Sequence, residues 1–125
     1  MNPIHRARLV LPTMDHRIRE VLTRLQTNLA GDLRAEHTAQ QLGLSVSRLH
    51  HLFKAETGTS MVRYQKKLRI EMACFLLKRT RLSIKQIASE VGMRDTSHFV
   101  RDFEKTQGMS PKRYRLNFLS EQTDK

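Results

Sequence analysis

The sequence predicts an all-α fold of about seven helices, arranged as two helix-turn-helix subdomains joined by a long linker helix. Three observations predict it. Apolar residues recur with helical spacing almost throughout the 125 residues, and no convincing period-two strand interrupts them. Glycines stand where helices should stop, and Ser or Asp stands where the next should start. Most informative, one pattern occurs twice. Ala39, Leu42 and Gly43 recur as Ala88, Val91 and Gly92 at an offset of 49. Leu49, Phe53, Gly58, Ser60 and Tyr64 recur as Phe99, Phe103, Gly108, Ser110 and Tyr114 at an offset of 50. The one-residue difference falls in the turn, where an insertion costs least.

Residues 1–14, MNPIHRARLVLPTM, carry two prolines and no clean period, so they read as a flexible arm or linker. Asp15 is placed to cap a first helix bearing Ile18, Val21, Leu22, Leu25 and Leu29 on one apolar face, and Gly31 to end it. A short helix follows over 35–42; Arg34 precedes it where serine or threonine would cap better, so its start is expected to be loose. The Gly43-Leu44 turn and a helix over 46–56, stopped by Gly58, complete a first subdomain at 15–58. The linker helix falls within 59–81, where Ser60 opens the longest run, SMVRYQKKLRIEMACFLLKRT. Its expected core stripe is 61, 64, 68, 72, 75 and 76, with Cys74 a buried structural thiol. The second subdomain, 82–119, opens on a capping box of Ser83 and Gln86 and turns at Gly92-Met93. Asp95 caps its second helix, Gly108 stops it, and Ser110-Pro111 starts a last helix through Leu119. The remainder, 120–125, reads as a frayed tail.

The repeated unit reads as a helix-turn-helix for steric reasons. Two helices that cross steeply need a small residue where they pass, and Ala39 and Ala88 supply it. The tight turn needs a positive φ, which Gly43 and Gly92 accept without strain. Leu49 and Leu52 then anchor the second helix from beneath.

Lys and Arg total 23 against 12 Asp and Glu, a formal charge of +11. Such an excess points to a polyanionic partner. A membrane is the weakest candidate, because no apolar run approaches the roughly 18–20 residues of a spanning helix. No signal sequence opens the chain, so a cytoplasmic location is expected. The single cysteine excludes an internal disulfide framework and a multi-cysteine zinc site.

Three segments carry a family likeness: YQKKLRIEMA (64–73), SIKQIASEVGM (83–93) and SHFVRDFEKTQGMSPKRYR (97–115). In their order and spacing, residues from about 15 to 118 resemble the DNA-binding domain of the AraC/XylS family of bacterial transcription regulators. The resemblance implies two helix-turn-helix subdomains, each placing its second helix in a major groove. A linker helix of about 20 residues spans about 30 Å, close to the roughly 34 Å between successive major grooves, so one monomer would read one face of the duplex twice. Double-stranded DNA and RNA polymerase are the implied partners, with no cofactor. Family members often carry an effector-sensing domain, to which residues 1–14 would be the linker.

Helical geometry separates two stripes on the helix over 46–56. Leu49, Leu52, Phe53 and Glu56 form the holding stripe, with an exposed end at Glu56, and Ser47, His50, His51 and Lys54 are turned away from it. A neutral imidazole offers one donor and one acceptor, which suits a purine edge. Solvated surface histidines are the plain alternative, and a metal pair is disfavoured because adjacent residues project about 100° apart. The resemblance places Ser47, His50 and His51 among base contacts. Thr96, Ser97, His98 and Arg101 occupy the matching exposed positions of the second unit, where Arg101 suits bidentate binding of guanine against the alternative of a salt bridge to Asp102 or Glu104. Val100 aligns with His50 and would meet a thymine methyl or pack at the edge. Phosphate contacts are expected from Ser45, Lys54, Lys66, Lys67, Lys105, Ser110, Lys112 and Arg113, each weighed against a solvated face. Arg69 and Glu71 are expected to tie the linker helix to its neighbours. An enzyme using His50, His51 or His98 as base would need a nucleophile, oxyanion donors or a metal in a cleft, and nothing nearby supplies them, so no catalytic or metal site is expected.

Overall fold

The computed structural model describes residues 14–123, with side chains through Glu121. Among the described residues there are seven helices and no strand: α1 His16–Thr27, α2 Ala35–Gln41, α3 Val46–Thr57, α4 Met61–Arg79, α5 Ile84–Glu90, α6 Thr96–Gln107 and α7 Pro111–Thr123. The chain divides into two compact units, Met1–Lys67 and Leu68–Lys125, so the boundary falls inside α4.

The duplicated pattern becomes duplicated geometry. Both short helices end in the same six-to-one turn: Gly43 and Gly92 take positive φ of 71° and 84°, and Leu44 N–H and Met93 N–H each donate to the alanine carbonyl five residues back, at 2.8 Å. Ala39 and Ala88 are both buried, at 1% exposure. Leu49 and Phe53 in one unit, and Phe99 and Phe103 in the other, anchor the second helices at zero exposure. Phe53 meets Tyr64 edge-on at 5.7 Å, and Phe103 meets Tyr114 at 5.4 Å in the same way. Ser60 Oγ accepts from Arg63 N and Ser110 Oγ from Arg113 N, so each following helix is capped alike.

One element of the repeat has no local sequence signature. Gln65 Nε2 donates to Gly31 O at 3.1 Å. At the equivalent position, Arg115 donates through Nε to Leu77 O at 3.0 Å and through Nη2 to Leu82 O at 2.7 Å and Thr80 O at 3.4 Å. In both units the residue after the tyrosine thus ties down the loop that enters the short helix, and its partners lie more than thirty residues away. These carbonyls would otherwise lack intrahelical or ladder partners.

The capping residues act as expected at Asp15, Ser45, Ser83 with Gln86, and Asp95. The Arg17 guanidinium and backbone N–H beside Asp15 hold its carboxyl down to about 2. Arg34 supplies no side-chain cap to α2. Gly58 and Gly108 close α3 and α6 with φ of 82° and 78°, and a Cβ at either would meet nothing within 4 Å. Gly108→Ala therefore costs only backbone strain, about 1–2 kcal/mol, and urea unfolding should show that loss with an unchanged m value.

Several expectations are corrected. Helix α1 ends at Thr27, so Leu29 lies beyond it and Gly31 does not cap it; Asn28 takes the cap, its N–H bonding Arg24 O. Met14, assigned to the arm, is buried in the core at 6% exposure, and residues 1–13 lie outside the described residues. Helix α7 runs past Leu119 to Thr123, because 115–123 contain no Gly or Pro to stop it; residues 124–125 lie outside the described residues. Glu56, expected exposed, is half-buried and accepts from Asp15 N at 3.3 Å.

The largest correction concerns α4. Met61, Tyr64 and Leu68 are buried as expected, but Met72 is 40% and Phe75 51% exposed, and Leu76 is half-buried. Ile70, Ala73 and Leu77 are buried instead, packed with Ile87, Ala88, Val91, Phe99 and Phe103. At 100° per residue, 70, 73 and 77 do not continue the stripe of 61, 64 and 68. One helix serves two cores, each claiming its own stripe, so a single periodicity carried straight through selects the wrong residues in the second half.

Candidate nucleic-acid interface

Helix α3 is held from one side and open on the other. Leu49 and Phe53 are fully buried, and Leu52 and Glu56 are half-buried. Ser47, His50, His51 and Lys54 are all exposed, on the opposite arc. Ser45 Oγ accepts from Arg48 N at 3.0 Å, which leaves its hydroxyl proton available to a phosphate oxygen. Arg48 is also exposed, in the first turn and flanking this arc. Its signal in the sequence is the guanidinium next to Ser47.

Helix α6 repeats the arrangement. Phe99 and Phe103 are fully buried, and Ser97, His98 and Arg101 are exposed as expected; Thr96, expected exposed, is half-buried, as is Val100. Asp95 is committed to capping, its carboxylate accepting from His98 N at 3.1 Å. Asp102 lies inward at 7% exposure, with its Oδ2 3.6 Å from His98 Nε2. No ion pair of Arg101 with Asp102 or Glu104 occurs among the described residues, so the competing salt bridge is not formed. Lys105 and Glu104 are exposed on the same helix.

The remaining cations surround these helices in sequence. Lys66 and Lys67 are exposed on α4, and Lys112 and Arg113 on the first turn of α7, whose cap Ser110 is half-buried. Arg69 and Glu71 are half-buried. The exposed groups of each unit supply guanidinium and imidazole donors on the polar face of its second helix, with ammonium groups on α3, α4, α6 and α7. This combination suits base edges and phosphates.

The other chemistry is poorly provided for. Burial pushes the Cys74 thiol above its ordinary range despite a hydrogen bond with Tyr114, which works against a thiolate nucleophile. Among the described residues, no three His, Cys, Asp or Glu side chains gather to hold a metal ion, and no helix is long and apolar enough to cross a membrane.

The sequence profile of the helix-turn-helix domain family matches residues 38–117, most of the chain and both repeated units. The chain belongs to the AraC/XylS family of DNA-binding domains. This AraC/XylS domain is 37% identical over 105 residues to the arabinose operon regulatory protein of Escherichia coli strain K12, covering 83% of this chain and 36% of that protein. It is 30% identical over 98 residues to the transcriptional activator RhaS of Mannheimia succiniciproducens, covering 78% of this chain and 37% of that one. Among solved structures, the C-terminal domain of the response regulator AraT from Geobacillus stearothermophilus superposes with a TM-score of 0.79 at 32% identity, covering 84% of this chain and 88% of that one. The DNA-binding domain of AdpA, solved with a target DNA, shares the fold with a TM-score of 0.80 at 21% identity, over 87% of this chain and 98% of that one. The AraC/XylS domain thus spans just over a third of the length of the regulators it matches.

Proposed function

We propose that the chain regulates transcription by binding promoter DNA sequence-specifically, with α3 and α6 entering successive major grooves of one duplex. The observation that carries this reading is the two-faced character of each second helix: apolar anchors at zero exposure beneath, and a polar arc in solvent above. Ser47, His50 and His51 read bases from α3, and Thr96, Ser97, His98 and Arg101 from α6. Ser45, Lys54, Lys66, Lys67, Lys105, Ser110, Lys112 and Arg113 bind phosphates, which fix register without reading sequence. The chain acts in the cytoplasm as a monomer on DNA, contacts RNA polymerase, and carries no catalytic activity. A second reading makes it the DNA-binding part of a longer effector-sensing regulator, favoured by its 36% coverage of the arabinose operon protein.

Salt tests the electrostatic half of this assignment. If all six named cations neutralise phosphates, duplex affinity should fall about 1,000-fold or more between roughly 50 and 200 mM salt, because each contact releases counterions. Fluorescence anisotropy with a labelled duplex measures the slope. An affinity independent of salt would contradict it.

A further inference from the structure

The repeat singles out one residue of α6. Position 102 corresponds to position 52 of α3, at the same offset of 50 that pairs Phe99 with Leu49 and Phe103 with Phe53. The first unit has a half-buried leucine there, on the holding stripe. The second unit has Asp102, at 7% exposure. A carboxylate taken out of water is costly unless its surroundings compensate it, and an apolar side chain would suit the inner face of α6 better. The acid therefore has a use other than packing.

One helical turn before it stands His98, the counterpart of Arg48. His98 Nε2 lies 3.6 Å from Asp102 Oδ2, with the imidazole 59% exposed and the carboxylate 8%. The pair thus links the solvent side of α6 to its buried side. Asp95, the carboxylate at the start of the helix, accepts from the backbone N–H of His98 at 3.1 Å and serves as the cap. At 3.6 Å the carboxylate of Asp102 stands beyond hydrogen-bond length and acts on the imidazole through its charge. It attracts a proton on Nε2 and repels a lone pair there. A neutral imidazole carries one ring proton, so holding it on Nε2 leaves Nδ1 as an acceptor.

We propose that Asp102 is a positioning residue for base readout: it holds neutral His98 in its Nε2–H form, so that Nδ1 accepts from the amino group of adenine or cytosine. The inference rests on the proposed entry of α6 into a major groove. There adenine N6 and cytosine N4 are donors, whereas guanine N7 and O6 and thymine O4 only accept. Asp102 sets the choice at this base without reaching the DNA itself.

The test begins with the full chain free of DNA, by nitrogen-15 NMR of the imidazoles at roughly pH 8.5, well above the ordinary histidine value of about 6.5. The exposed His50 and His51 serve as internal references. His98 should show a wider separation between its two nitrogen shifts than either reference, with Nε2 protonated. Asp102→Asn and Asp102→Leu should bring that separation back to the reference value. Leucine is the residue of the first unit at this position, so the second variant supplies the check if the first folds poorly. A separation in the native chain equal to that of His50 and His51 would overturn the proposal, whatever the protein does with DNA. The second arm measures duplex affinity at the same pH, with each of the four bases in turn at the position that His98→Ala affects. The native chain should favour adenine or cytosine there by roughly fivefold, the worth of one hydrogen bond. Both Asp102 variants should lose that preference and keep those that His51→Ala affects. A preference for guanine, or one that survives in both variants, would overturn the reading role. A chain that binds no duplex would contradict the proposed function and with it this role, and the NMR arm would still decide whether Asp102 holds His98.

Discussion

Arg115→Ala should lower the free energy of unfolding by about 3 kcal/mol, several times the loss in Gln65→Ala, for which about 1 kcal/mol is expected. Arg115 donates to the carbonyls of Leu77 and Leu82 at 3.0 and 2.7 Å, and more weakly to Thr80 at 3.4 Å. A hydrogen bond from a charged donor contributes about 1.5–3 kcal/mol, and its loss leaves part-buried acceptors without a partner. The three bonds share one side chain, so their contributions do not add in full. Gln65 makes one neutral bond to Gly31 O at 3.1 Å, hence the smaller figure. Arg115→Lys should fall between, because an ammonium cannot span two carbonyls as a planar fork does. Urea denaturation followed by circular dichroism measures all three. Losses below half a kcal/mol for Arg115→Ala would mean that the loop before α5 is held by packing alone.

Arg101→Ala should relax sequence preference within one block of the operator, by about 1–3 kcal/mol at the base it contacts, which is roughly 5- to 150-fold in affinity. His51→Ala should do the same in a different block, because Arg101 stands on α6 and His51 on α3. Lys112→Ala, on α7, should weaken specific and random duplexes alike and shallow the salt dependence by about one contact. The ratio of specific to non-specific affinity, measured for each variant on single-base variants of the site, distinguishes the two kinds of effect. Equal losses on both DNAs for all three variants would reduce Arg101 and His51 to backbone contacts.

The parts of the fold legible in the sequence are those written locally. Gly43 and Gly92, Ser83 with Gln86, and Ser110 with Pro111 act within a turn or a first helical turn, so neighbouring residues reveal them. The polar arc of α3 was equally legible, since exposure of His50 and His51 follows once Leu49 and Phe53 point inward. What was not legible depends on distant packing. Nothing near Arg115 or Gln65 announces that each ties down a loop more than thirty residues away. Along α4 the misleading signal was a strong one: Met72 and Phe75 continue the stripe of Met61 and Tyr64, yet Ile70, Ala73 and Leu77 fill the second core. Leu29 failed for a related reason, because its helical spacing says nothing about α1 stopping at Thr27.

The most direct measurement is selection from a randomised duplex pool of about 30 bp, at near-physiological salt with non-specific competitor, followed by sequencing. Two preferred blocks about one helical turn apart are predicted, one for α3 and one for α6. A single block, or no enrichment despite salt-sensitive binding, would contradict the claim that both units read sequence.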